Sequence, residues 1–273
     1  MKKKSVKKLY GEMVLKEWKR LTKDPFHKLE FETTLRFLKK YLPQKGLILD
    51  AGGGPGRYTI ALAKNGYDVV LLDLVPELLE FAKKQIAKAK VEANVKSVIE
   101  SSIIDLSCFD SNYFDSVVCL GGPLSHIKGN KTRKKAVSEL IRVAKKGAPV
   151  FISVMGKLAV LANCLRYWPD EIKQTRHFRE IWKNGDDNIW HGSSYCHFFM
   201  PEEFKTLVSE SGLKILECVG LEGLGSNAKR EINKLAKNWP KAWKNWIEAH
   251  WGLCSHSAVF ATSGHMLIVG RKK

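Results

Sequence analysis

Apolar and polar positions along this chain change their period in a regular order. From Tyr10 to about Lys23, apolar residues stand at 10, 13, 14, 18 and 21, the spacing of one helical face. Asp24-Pro25 breaks that run, and Phe26 to Leu42 restarts a helix with Leu29, Leu35, Phe37 and Leu38 on its apolar side. Pro43 to Gly46 is a turn. Short apolar runs then alternate with amphipathic stretches: strand 47–50, helix 56–64, strand 68–72, helix 76–90, strands 95–100 and 115–120, helix 131–145, strand 149–154. That alternation predicts a parallel sheet with helices on its faces. Lys145-Lys146-Gly147 supplies the basic last turn and C-cap glycine that close the helix before the fifth strand.

The regularity loosens after Met155-Gly156. Residues 157–198 read as an aromatic-rich insertion carrying Tyr167, Trp168, Trp182 and Tyr195. Pro201-Glu202-Glu203-Phe204 starts another helix, and Ser211-Gly212 ends it. Lys214–Val219 and Met266–Val269 are strand-like, with a second insertion, 223–262, between them. There Trp239, Trp243 and Trp246 fall on one face of a helix that tolerates Pro240 in its first turn, a stripe better suited to core than to a substrate cage. Residues 1–9 read as a frayed basic tail.

The first strand runs into Asp50-Ala51-Gly52-Gly53-Gly54-Pro55-Gly56-Arg57 and a helix follows at once, so the glycines form a strand–loop–helix bend where a ligand reaches backbone N–H groups. The second strand ends in Asp73, 21 residues past Gly52, at the place where a carboxylate accepts hydrogen bonds from ribose hydroxyls. The dinucleotide fingerprint needs glycine at the sixth position of the bend, where this chain has Arg57.

Asp-x-Gly-x-Gly-Pro-Gly resembles motif I of class I S-adenosylmethionine-dependent methyltransferases. Glu17-Trp18-Lys19-Arg20, Phe31–Arg36, Leu120–His126 and Ser263–Leu267 are similar to a small-molecule-type branch of that family with no settled substrate. The resemblance implies an α/β, Rossmann-like seven-stranded sheet, mostly parallel with an antiparallel last strand, plus N-terminal helices and two insertions. It implies a single domain: residues 1–45 a helical lid, 46–156 the cofactor-binding core, 157–198 and 223–262 covers for the substrate cleft. It implies S-adenosyl-L-methionine as cofactor and S-adenosyl-L-homocysteine as product. Asp50, Ala51, Gly52 and Gly54 would form the cofactor loop, Arg57 would pair with the methionine carboxylate or remain a solvated first-turn residue, and Asp73 and Leu74 would take ribose and adenine. Where the family often has Gly-Asp-Ala after the third strand, this chain has Ser101-Ser102-Ile103; Ser102 and Ile103 would face adenine, and Asp105 would either substitute for the missing carboxylate or cap a turn. Gly121, at the end of the fourth strand, would let cofactor and acceptor approach the backbone.

Methyl transfer asks a protein chiefly for positioning, with a base where the acceptor proton must leave. His126 is the leading base candidate, since imidazole titrates near neutrality; a structural histidine on a backbone carbonyl is the alternative. His197 and His265 rank behind it. Tyr10 and Trp18 suit a lid over the cofactor or plain helix packing.

Composition narrows the partners. No run approaches 18 apolar residues and no apolar leader follows the N-terminal lysines, so a membrane span or secretory signal is not expected, and a cytoplasmic protein is. The six cysteines are scattered without a Cys-x-x-Cys pair, as reduced packed thiols would be, and His250-x-x-x-Cys254-x-His256 offers too few ligands for a metal expectation. Of the formal charge of +18, residues 1–45 carry +9 and residues 226–273 carry +7, leaving the body nearly neutral. Basic ends admit an RNA substrate. A small-molecule O or N acceptor is favoured, because the lysines form no aromatic-interleaved reading motif. A non-catalytic cofactor-binding partner and a nicotinamide dehydrogenase complete the alternatives.

Overall fold

Runs of leucine and β-branched residues too short for helices become strands buried on both faces. In the computed structural model, which describes residues 5–190 and 194–273, these are β1 (Leu47–Ala51), β2 (Asp68–Asp73), β3 (Val95–Glu100), β4 (Ser116–Cys119) and β5 (Pro149–Met155). A separate hairpin, β6 (Asp186–Trp190) with β7 (Ser194–His197), precedes β8 (Leu213–Gly220) and β9 (His265–Lys272). The main sheet has the order β3-β2-β1-β4-β5-β9-β8, with β9 antiparallel to both neighbours and the other pairs parallel. The expected sheet, antiparallel final strand included, is therefore present. Strand order reverses beside β1, which opens a crevice at the carboxyl ends of β1 and β4.

The helices in chain order are α1 (Val6–Gly11), α2 (Val14–Arg20), α3 (Pro25–Tyr41), α4 (Arg57–Lys64), α5 (Pro76–Ala89), α6 (Asn130–Val143), α7 (Lys157–Tyr167), α8 (Pro169–Lys173), α9 (Thr175–Asn184), α10 (Pro201–Glu210), α11 (Lys229–Asn238), α12 (Pro240–Leu253) and α13 (Ser257–Thr262). Two hydrophobic clusters cover the two sheet faces, one with Phe114, Phe199 and Phe204, the other with Phe37, Tyr58 and Phe151.

Three expectations change. The single helix from Tyr10 to Lys23 is two short ones, broken at Glu12-Met13 just after Gly11. Gly11 also lets α1 press on α5, since a Cβ there would stand 3.0 Å from the Glu77 carboxylate. The basic tail is shorter than read, because α1 already starts at Val6 with Ser5 as its cap; residues 1–4 lie outside the described residues. The 157–198 stretch, irregular by its sequence, folds as α7, α8, α9 and the hairpin around a small core of its own containing Val160, Cys164, Ile181 and Phe198.

The second insertion packs behind α3 rather than over the crevice. Leu29 of α3 is buried with Ile232 and Ile247, and Trp243, Trp246 and Trp251 close around them. Trp243 and Trp246 stack at 5.5 Å, but Trp239 is the exposed residue before α12, and His250 takes the third place in the stack. No helix among the described residues is long and apolar enough to cross a membrane.

Candidate functional site

The crevice is a cavity of ≈ 410 Å³ whose walls are the bend after β1, the tips of β2, β3 and β4, and the N-terminal helices α1 and α2. Its volume falls within the ~300–1,000 Å³ of small-molecule sites. The bend is held by its own backbone: the N–H groups of Gly52 and Gly53 both donate to the Leu72 carbonyl at the end of β2, at 2.7 and 3.2 Å. Gly52 has φ +75°, and a Cβ there would lie 2.6 Å from the Pro123 ring, so only glycine fits.

Asp73 faces the same space. Its Oδ2 accepts from Gly54 N–H at 2.8 Å and its Oδ1 from Val75 N–H at 2.9 Å. Burial raises its pKa, against the pull of those amides in the other direction. Gly52, Gly54, Asp73, Leu74, Ser102, Ile103 and Gly121 thus line one cavity, together with Arg57 and His126.

Asp50, Ala51 and Asp105 do not line it. Asp50 is fully buried under the bend, where its Oδ2 accepts from Thr59 Oγ1 at 2.6 Å and its Oδ1 has no hydrogen-bond partner among the described residues. A Cβ on Gly53 would collide with that carboxylate at 2.6 Å, so Asp50 supports the loop from behind instead of reaching a ligand. Burial lifts its pKa to about 6. Asp105 is exposed and caps a turn, accepting from Ser107 N–H at 3.0 Å, which decides between the two roles open to it.

Arg57 is committed elsewhere. Its Nε and Nη2 donate to the Trp18 carbonyl at 3.0 and 2.5 Å, and its guanidinium lies 3.7 Å over the Trp18 ring. Two other cations line the cavity, Lys128 and Arg20; the sequence placed Arg20 in the Glu17–Arg20 stretch but assigned it no role. Its Nε donates to Glu17 at 2.8 Å and its Nη1 to Glu30 at 2.5 Å. Its Nη2, toward Gly121, takes no hydrogen bond among the described residues. Burial opposes the charge on Arg20, but Glu17 and Glu30 more than offset it and raise its pKa.

The three histidines separate. His126 lies in the cavity wall, with Nδ1 3.1 Å from the Tyr195 carbonyl and Nε2 2.9 Å from the Tyr10 hydroxyl. A carbonyl only accepts, so in the neutral ring Nδ1 carries the proton and Nε2 accepts from Tyr10. His197 is buried away from the cavity between Asp186 at 2.8 Å and Glu203 at 2.7 Å. His265 also lies outside the lining, paired to Glu222 at 2.5 Å and near Glu30 at 3.7 Å. Burial works against its charge, but Glu30 and Glu222 carry its pKa up to about 9. Both rings are held by carboxylates outside the cavity lining, which corrects their candidacy as bases. Glu30, Glu222 and His265 lie close enough for a cation, yet the cluster already holds two of its own, His265 and Arg20.

α1, α2 and the residue after α2 border the cavity through Val6, Tyr10, Glu17, Arg20 and Leu21. No described residue of 157–198 or 223–262 lines the cavity. The first insertion reaches the cavity-lining residues from outside, through the Tyr195 carbonyl at His126 and the Tyr195 ring under Lys128.

Residues 48–147 match the family model for a methyltransferase domain. The chain is 23% identical over 206 residues to YqeM of Bacillus subtilis, which carries a methyltransferase name, spanning 70% of this chain and 80% of that one. It is 24% identical over 188 residues to the ubiquinone biosynthesis O-methyltransferase of Coxiella burnetii, covering 68% and 72%. Among solved structures it is similar to an S-adenosylmethionine-dependent methyltransferase from Methanosarcina mazei, with a TM-score of 0.59 at 18% identity over 86% of this chain and 96% of that one.

Proposed function

We propose that this chain, whose residues 48–147 match the methyltransferase-domain model, is a class I S-adenosylmethionine-dependent methyltransferase that methylates an O or N atom of a small molecule inside the β1/β4 cavity. When bound, the cofactor supplies a methyl group on a sulfonium, which an in-line acceptor displaces from sulfur. The observation that carries the reading is the joining of the glycine bend to Asp73 by the 2.8 Å Gly54 hydrogen bond, on one wall of one cavity.

The walls match such a cofactor from end to end. Asp73 presents carboxylate lone pairs for ribose hydroxyls. Leu74, Ile103 and Ile104 give an apolar slot for a purine on one side of it. On the other side, the Arg20–Glu17 pair complements an α-amino acid, guanidinium to carboxylate and carboxylate to ammonium. His126 takes the acceptor proton through Tyr10: the phenol oxygen receives it while the phenol proton passes to Nε2, and the imidazolium keeps its Nδ1–H on the Tyr195 carbonyl. The α1–α2 lid excludes water. The name of the Coxiella relative favours an oxygen acceptor.

Calorimetric titration with S-adenosylmethionine tests the reading. Micromolar binding that weakens about tenfold or more in Asp73→Asn is expected, the loss of a charge-assisted contact; no binding, or wild-type affinity in the variant, contradicts it. A second reading, RNA as acceptor, draws on the meeting of the two basic segments: Phe26 N–H of α3 donates to Asn233 Oδ1 of α11 at 3.0 Å, and burial, then the nearby charge of Lys229, holds the Lys23 pKa down. A steep loss of RNA affinity with salt, together with label from methyl-labelled cofactor appearing in RNA of a cell extract, would favour it over a small molecule.

A further inference from the structure

The wall beyond Asp73 holds a second, unassigned selectivity. It is made by Leu74 and the segment 101–104 that follows β3. Two carboxylates line the whole cavity, Glu17 and Asp73; the first is bound to Arg20 and the second to the bend. The acids that flank segment 101–104 both point elsewhere: Asp105 onto Ser107 N–H, and Glu100 onto Lys7. The wall's polar side chains are therefore hydroxyls. Ser101 is occupied, donating to the Asp105 carbonyl at 3.2 Å. Ser102 Oγ accepts from Ile104 N–H at 3.2 Å, which leaves its own proton and one lone pair for the cavity.

A carboxylate only accepts, so it binds the 6-amino group of adenine and repels a 6-oxo group. A hydroxyl both donates and accepts, and rotates to suit either. Resting on the cofactor reading above, we infer that the Ser102 wall accepts 6-oxopurine as well as 6-aminopurine nucleosides, so that hypoxanthine forms of the cofactor and its product bind in the same cavity. The charged amino-acid end, held by Arg20 and Glu17, is common to both ligands and plays no part in the choice.

Calorimetry on the full chain with S-adenosylhomocysteine and S-inosylhomocysteine decides the matter. The wild type is expected to bind the two within about tenfold of each other. Ser102→Asp, which places an acceptor-only group at the base, should widen the ratio by at least about tenfold in favour of adenine, the scale of one mismatched buried polar contact. Asp105→Asn should leave the ratio unchanged. A wild-type preference for adenine above a hundredfold overturns the inference, and that measurement needs no variant to fold. So does a ratio that moves with Asp105→Asn, or one that does not move in a folded Ser102→Asp. Failure of both ligands to bind would instead overturn the cofactor reading, and this inference with it.

Discussion

Arg57 lies flat on Trp18 and donates twice to its carbonyl, so the first helical residue after the glycine bend grips the lid helix α2 rather than a ligand. The two arginines of the cavity therefore divide their work. Arg20→Lys keeps a charge between Glu17 and Glu30 but removes the planar fork. It should weaken S-adenosylhomocysteine by about tenfold while leaving 5′-methylthioadenosine, which lacks the amino acid, unchanged. Arg57→Lys should lower stability by about 1 kcal/mol through the lost stacking and hydrogen bond, and should weaken both ligands alike. Calorimetry and thermal melts separate these outcomes.

Tyr10 and His126 act on one proton, so their removal should not be additive. Tyr10→Phe and His126→Gln should each slow label incorporation from methyl-labelled cofactor into the acceptor fraction of a cell extract by ~10²–10⁴-fold, the range of a general base. The double variant should be no slower than the worse single one. Multiplying losses would mean that the two groups serve separate steps.

His265 makes stability depend on alkaline pH. Its pKa rises from the ordinary ~6.5 to about 9 in the folded chain. The stabilisation from its pairing with Glu222 and Glu30 is therefore complete below pH ~6.5 and is lost as the pH climbs through about 9. Melting temperatures between pH 6.5 and 9.5 should fall in the wild type, and much less in His265→Gln, which starts lower. Equal slopes would show that the pair does not hold the charge.

Asp50 acts at lower pH. Its folded pKa of about 6 exceeds the unfolded ~3.9. The protonated form suits the folded state, so the contribution present below pH ~3.9 disappears as pH passes about 6. Asp50→Asn should flatten this part of the melting profile and leave cofactor affinity within a few-fold, since the side chain lies beneath the bend. A hundredfold affinity loss in a normally folded variant would mean that Asp50 reaches the ligand after all.

The parts of this protein legible in its sequence are those set by neighbours along the chain. Apolar runs and glycines placed β1, the bend and β2, and with them the meeting of Gly54 and Asp73. Arg20 was hidden because its place depends on how α2 docks, and the equally basic Arg57 stood closer to the bend. His197 and His265 looked like candidate bases because their carboxylate partners, Glu203 and Glu222, enter from other elements. Asp50 was read as a ligand contact, but the strand pleat points it under Gly53. The Trp243–Trp246 stripe reads as core and packs as core, but nothing along the chain named α3 as its partner, and the aromatics of the first insertion gave no direction to the small core it forms.

The stack of Trp243, Trp246 and His250 lies outside the cavity lining, yet it wedges α3 from behind. Because α3 carries Glu30, and Glu30 anchors Arg20, the posture of a fingertip in the cavity depends on a brace at the molecule's back. Erosion of those indoles should register first as careless handling of the ligand's zwitterionic tail, well before the sheet itself gives way.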